Sequence, residues 1–228
     1  MTTSVVVGGS SGLGRFIAQR LASRGDDVVV TSRDPERAAQ VAGEIGGTAV
    51  VLAIDLTRPE GIAGQLERIE SVDKLVLTAF LPMANTIRDF DITAAVAAIT
   101  AKLVGYTETV RCLHGRFTPD AAVVLFGGAA KDRPYPGSTM VTAHNGGVSA
   151  LVKTLAIEIA PHRVNAVHPG VVGDSPRWRD VSEHPAIART PTGRLVTMAE
   201  VADATEFLLA NTGVNAHDLA VDGGTLVM

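Results

Sequence analysis

The 228-residue chain holds one cysteine, Cys112, so no disulfide forms within it and the usage fits a reducing compartment. It lacks basic clusters and carries a net charge of −4, a balance that argues against nucleic acid as a main partner. No stretch reaches the roughly 18 continuous apolar residues of a membrane span. Met1-Thr2-Thr3-Ser4 runs straight into an apolar segment without a charged leader region, so a soluble cytoplasmic protein is expected. The six histidines and Cys112 show no paired ligand spacing, and no metal site is read. Repeats and long linkers are also missing. With 46% hydrophobic residues the chain suffices for one core and is short for two, so residues 1–228 read as one domain.

What is present begins at Val5-Val6-Val7-Gly8-Gly9-Ser10-Ser11-Gly12-Leu13-Gly14. A β-branched run breaks into a glycine turn, and Leu13, Ile17 and Leu21 then recur every four residues as the buried stripe of a helix. Glycines in the order Gly8-x-x-x-Gly12-x-Gly14 let the chain turn sharply and bring bare N–H groups to a ligand. The helix N-terminus, with its free donors and positive dipole end, suits a diphosphate. A flexible loop is the plain alternative, and the surrounding strand–turn–helix order favours a dinucleotide. The second strand, Asp27 to Thr31, ends in Ser32-Arg33 instead of the carboxylate that grips a ribose 2′-hydroxyl. A guanidinium suits a 2′-phosphate, so NADP(H) is expected, with Ser10 as a second contact.

Further along, apolar β-rich runs alternate with helical periodicity, the pattern of a doubly wound parallel sheet covered on both faces. Asp34-Pro35 opens a helix through about Ala42, and Gly46-Gly47 leads into a third strand, Thr48 to Ile54. Arg58-Pro59-Glu60 starts another helix. Later strands are expected at Asp73 to Ala79, Ala121 to Phe126, Arg163 to Val167 and Leu219 to Gly224. Long helices are expected at Phe90 to Leu113 and Ser138 to Ala160, and a further one at Met198 to Leu209.

The glycine turn, Asp55-Leu56-Thr57, Val164-Asn165-Ala166-Val167-x-Pro169-Gly170 and Val221-Asp222-Gly223-Gly224 together resemble the short-chain dehydrogenase/reductase family over nearly the whole chain. The resemblance implies a single seven-stranded Rossmann domain and a homodimer or homotetramer joined through the two long helices, where Ala143, Gly146, Gly147 and Ala150 are small. It implies a cofactor site drawn from Gly8, Ser10, Ser11, Gly12, Leu13, Arg33, Asp55, Leu56, Ala79, Lys102, Asn145, Pro169, Gly170, Val172 and Ser175. Asp55 is placed at the adenine, although it reads equally as a helix cap.

The family's catalytic serine, tyrosine and lysine are missing. Counting back from Lys153-Thr154-Leu155-Ala156 puts Val141 at the tyrosine position and Asn145 at the lysine position, and Gly128 stands for the serine. Where the family often has an asparagine, Leu103-x-Gly105 places Lys102. Lys102 reads as a cation able to hold the ribose or donate a proton, or else as an exposed helix lysine. His144, one turn beyond Val141, and Tyr135, between Pro134 and Pro136, are the other candidate acids. His144 reads first as a helix-packing or surface residue. Trp178 is a lid or core residue.

Two readings remain. One is an NADPH-dependent oxidoreductase of atypical mechanism acting on a small carbonyl or enone. The other is a non-redox protein on the same scaffold: an NADPH sensor, a pseudo-enzyme partner, or a lyase or cyclase.

Overall fold

The structure, a computed structural model, describes residues 2–45 and 49–228, leaving aside the side chains of residues 35 and 37–39. Seven strands form one parallel sheet: β1 (Thr3–Val7), β2 (Asp27–Ser32), β3 (Val50–Ala53), β4 (Val72–Leu77), β5 (Phe117–Phe126), β6 (Arg163–Pro169) and β7 (Asp218–Val221). Their order is β3-β2-β1-β4-β5-β6-β7. The order reverses between β1 and β4, so a crevice opens beyond the carboxyl ends of those two strands. Register is set by side-chain alternation: Val5 and Val7 enter one core layer and Val6 the other, with each residue paired to β2 and β4.

Helix α1 (Gly12–Ser23) covers one face with Ile17 and Leu21, and α2 is Pro35–Ile45. On the other face lie α3 (Ile62–Leu66), α4 (Ile92–Ile99), α5 (Gly105–His114) and α6 (Thr139–Glu158), which pack Leu66, Tyr106, Leu113 and Val152 onto the sheet. Each fully buried leucine is worth about 2–5 kcal/mol against truncation to alanine. α7 (Met198–Ala210) returns to the first face behind a capping box of Thr197 and Glu200. Its C-terminus is tied to β6 by Arg163, whose guanidinium donates to the carbonyls of Leu208, Leu209 and Asn211.

Three expected elements differ. The long helix expected from Phe90 starts at Ile92, because the Asp91 carboxylate caps Ala94 N–H, and five residues, Thr100–Val104, wind as a π-helical turn between α4 and α5. The last strand ends at Val221 instead of reaching Gly224: Gly223 and Gly224 take φ of +65° and +85°, and Asp222 accepts the N–H groups of Gly224 and Leu226. The third strand is Val50–Ala53, shorter than Thr48 to Ile54, and Gly46, Gly47 and Thr48 lie outside the described residues. Smaller shifts lengthen α2 to Ile45 and begin β5 at Phe117. Among the described residues no helix is long and apolar enough to cross a membrane.

Candidate active site

The turn after β1 is closed by backbone. Gly8 has φ +83°, and a Cβ there would stand 2.7 Å from the Cα of Ala79, while one at Gly14 would meet the Gly8 carbonyl and Thr78 Oγ1 at 2.4 Å. No other residue fits at either place. Gly12, with φ +50°, would bring a Cβ only into ordinary contact with Pro176 at 3.8 Å, and Ser11 at the N-cap of α1 makes no side-chain cap. The first N–H groups of α1 are therefore not taken by a side-chain cap, with Ser10 and Leu13 flanking them. Arg15 of the first turn pairs with Glu44.

Toward the edge of the sheet, Ser32 is buried and accepts the N–H of Asp34, which in turn caps Glu36. Arg33 stands exposed and makes no hydrogen bond or ion pair with a described residue. After β3, Asp55 Oδ1 accepts from the N–H and hydroxyl of Thr57, and its second oxygen has no partner among the described residues. Leu56 is buried against Gly105, where a Cβ would come within 2.8 Å of it.

On the far side, β6 ends at Pro169, and Gly170 N–H donates to Val221 O. Val172 bridges to Val196. The Ser175 hydroxyl donates to Val172 O, and Asp174 caps α7 by accepting Met198 N–H at 2.7 Å. Trp178 is half-buried, with Arg177 over its ring and His184 against its edge. Tyr135 is 56% exposed and its hydroxyl has no partner among the described residues.

Between these two ends lies a polar interior. Lys102, in the π-helical turn, is 3% exposed. Its Nζ donates to the Tyr106 hydroxyl at 3.2 Å, and that hydroxyl donates to Ala79 O at 2.7 Å. Among the described residues no carboxylate faces it, and burial lowers its pKa from 10.5 to about 7. Burial holds Tyr106 well above the usual phenol range, so it stays protonated. From α6, His144 is buried with Nδ1 unpartnered; burial first, then the charge of Lys102, lowers its pKa to about 4. Asn145 beside it is 5% exposed.

Behind Gly128, His168 Nδ1 accepts the Gly128 N–H at 3.1 Å, which puts the ring proton on Nε2. Nε2 lies 3.3 Å from Ser149 Oγ, and 3.1 Å from Asp218 Oδ1 at ion-pair distance without hydrogen-bond geometry. Serine and aspartate meet the same nitrogen, so the three do not form a relay in which one nitrogen serves each.

A family model described as enoyl-(acyl carrier protein) reductase matches residues 7–225. The chain belongs to the short-chain dehydrogenase/reductase family of oxidoreductases. It is 29% identical over 227 residues to a 3-oxoacyl-[acyl-carrier-protein] reductase of Bos taurus, covering 96% of this chain and 95% of that one. Among solved structures it is similar to a short-chain dehydrogenase/reductase family protein (TM-score 0.90, 28% identity, 100% of this chain and 98% of the other). It is also similar to the 3-ketoacyl-(acyl-carrier-protein) reductase of Brucella melitensis complexed with NADH (TM-score 0.86, 26% identity, 99% and 98%).

As a short-chain dehydrogenase/reductase, the chain brings Lys102 and His144 together, the first in the π-helical turn and the second on α6, close enough for charge to be felt. Tyr135 takes no part in that hydrogen-bonded interior. Sequence reasoning missed Tyr106 and the π-helical turn. The spacing Lys102-x-x-x-Tyr106, one helical turn, is the signal that could have paired them.

Proposed function

We propose that this chain is an NADP(H)-dependent reductase of a small carbonyl or enone in which Lys102 supplies the proton. The observation that carries the reading is a lysine buried without a carboxylate and anchored, through Tyr106, to the residue that packs on the glycine turn. The turn fits a dinucleotide: Gly8 and Gly14 leave backbone where any side chain would stand, α1 has no side-chain cap, and Arg33 and one Asp55 oxygen have no partner among the described residues. Those residues would hold the cofactor, together with Leu56, Ala79, Pro169, Gly170, Val172 and Ser175. When bound, NADPH supplies the hydride that reduces the substrate carbon.

The substrate oxygen then needs one proton. With a pKa of about 7, Lys102 is partly ammonium at neutral pH, can release a proton and can regain it from water. His144 serves this less well, since at neutral pH its imidazole is uncharged. Tyr106 is a positioning residue: its oxygen accepts from Nζ whether the lysine is charged or neutral.

Assembly as a homodimer or homotetramer is part of the same proposal. An apolar groove between the π-helical turn and α6, lined by Leu103, Val104, Thr107, Gly147, Ala150 and Leu151, supports it, and Ile157 on α6 is exposed nearby in sequence. Sedimentation at micromolar concentration would show a dimer or larger; a monomer would refute this part.

The test of the reductase reading is Lys102→Met, which keeps the length and removes the amine. Turnover of 9,10-phenanthrenequinone, a reactive diketone, should fall by about 10²-fold or more while NADPH still binds. Unchanged turnover would refute Lys102 as the donor, and NADPH binding without turnover in the wild type would favour the sensor or partner-subunit reading.

A further inference from the structure

Asn145 and Gly128 fit one another. A Cβ on Gly128 would lie 2.8 Å from Asn145 Nδ2, against 3.5 Å from Cγ and 3.8 Å from Oδ1, so the amide nitrogen borders the space that a serine side chain at 128 would fill. The carboxamide is almost wholly buried and hydrogen-bonds to no described residue. Neither of its polar atoms is sealed, in contrast to Nδ1 of His144. The amide donor is therefore uncommitted within the described residues and open to the crevice, where a ligand acceptor can reach it.

The backbone beside it is held from behind. Gly128 N–H is fixed on His168 Nδ1, and Gly127 has no room for a side chain, since its Cβ would lie 2.3 Å from the His168 ring. Two successive glycines thus accommodate two polar side chains: His168, which fixes the loop, and Asn145, which faces forward.

We propose that Asn145 Nδ2 donates the hydrogen bond that holds and polarises the substrate's carbonyl oxygen, occupying the place left open by Gly128. This rests on the reductase reading and differs from the ribose contact expected of Asn145 from the sequence. A neutral amide gives up no proton at any working pH, so orientation falls to Asn145 and protonation to Lys102. The ligand class follows: a ketone or aldehyde oxygen, which accepts from nitrogen without being charged.

The test compares Asn145→Ala, Gly128→Ser and the double variant G128S/N145A, reading NADPH affinity by fluorescence and kcat and KM for 9,10-phenanthrenequinone. N145A should bind NADPH as the wild type does and lose about 10²-fold in kcat/KM, the usual effect of deleting one donor to a developing oxyanion. The double variant, with a hydroxyl where the amide was, should recover about tenfold of that loss. G128S alone, which forces the hydroxyl against the amide, should gain nothing. Should N145A fail to fold, Asn145→Leu keeps the bulk and carries the same comparison.

Weaker NADPH binding with kcat retained in N145A would overturn the inference and return Asn145 to the ribose. So would a double variant no better than N145A, or an N145A indistinguishable from wild type, and these leave the reductase reading standing. Wild-type protein that binds NADPH and leaves the quinone unreduced would overturn both.

Discussion

The two ends of the crevice are built from different materials. At the β1–α1 turn the determinants are backbone: glycines at Gly8 and Gly14 with no space for a Cβ, an uncapped helix start, and carbonyls and N–H groups held by β1 and β4. At the β5–α6 end they are side chains, Lys102, Tyr106, His144 and Asn145, each on a helix that exists for other packing reasons. A backbone site tolerates almost no substitution. A side-chain site can be reassembled from different residues, and here it combines a buried cation, Lys102, with a buried amide, Asn145.

The sharpest way to break this contrast is to titrate the side-chain end. If the Lys102 ammonium is the acid, turnover should decline as pH rises through about 7, by roughly tenfold per unit, and Lys102→Met should remove the inflection. Stability should respond in the opposite sense. Between pH 7 and 10.5 the unfolded chain binds a proton that folded Lys102 has released, so unfolding free energy rises with pH across that window. Urea denaturation should show that slope in the wild type and not in Lys102→Met, which should also be the more stable protein at pH 7. His144 adds a second window: with its folded pKa near 4 against 6.5, stability should fall as pH drops from 6.5 to 4. A wild type whose stability is flat from pH 7 to 10.5 would show that Lys102 keeps its charge in the folded protein.

At the backbone end, Gly8→Ala is the corresponding change. The new methyl carbon meets Ala79 at 2.7 Å and φ of +83° is strained for alanine, so about 1–3 kcal/mol of stability should be lost. NADPH binding should fall with it, because the turn must open to admit the methyl. Gly12→Ala makes the comparison finer: its methyl would meet only Pro176, at an ordinary contact distance of 3.8 Å, so the strain of φ +50° acts without a clash. Equal melting temperatures for Gly8→Ala and wild type would show that the turn yields easily.

The difference in material also explains what could be read in advance. Gly8-x-x-x-Gly12-x-Gly14 was legible because a close approach of backbones admits one residue type, and the alternation of Val5, Val6 and Val7 because a doubly covered parallel strand needs apolar side chains on both faces. Lys102 was legible only as a position, since neither its burial nor the π-helical turn follows from Thr100-Ala101-Lys102-Leu103-Val104. Tyr106 was hidden for the same reason: its partner is the Ala79 carbonyl, 27 residues away, which no local pattern specifies. The end of β7 was overrun because Leu219 to Val221 continues into residues whose turn depends on the Asp222 carboxylate finding two N–H groups.

The smallest effect expected concerns an exposed charged side chain at the backbone end. Arg33 is exposed, and no described residue competes for its guanidinium, so a 2′-phosphate would find it free. Ser32 cannot take the part of a carboxylate, being buried with its oxygen accepting from Asp34 N–H. Arg33→Ala should weaken NADPH binding by about tenfold, the low end for a charge-assisted bond because solvent screens an exposed pair. NADH, which lacks the phosphate, should bind both proteins equally. Raising salt should shrink the NADPH effect and leave NADH untouched, since only the former depends on an exposed charge pair. Equal losses for the two nucleotides would mean that Arg33 acts through the fold of the β2–α2 loop, and the preference for NADP(H) would then lose its physical basis.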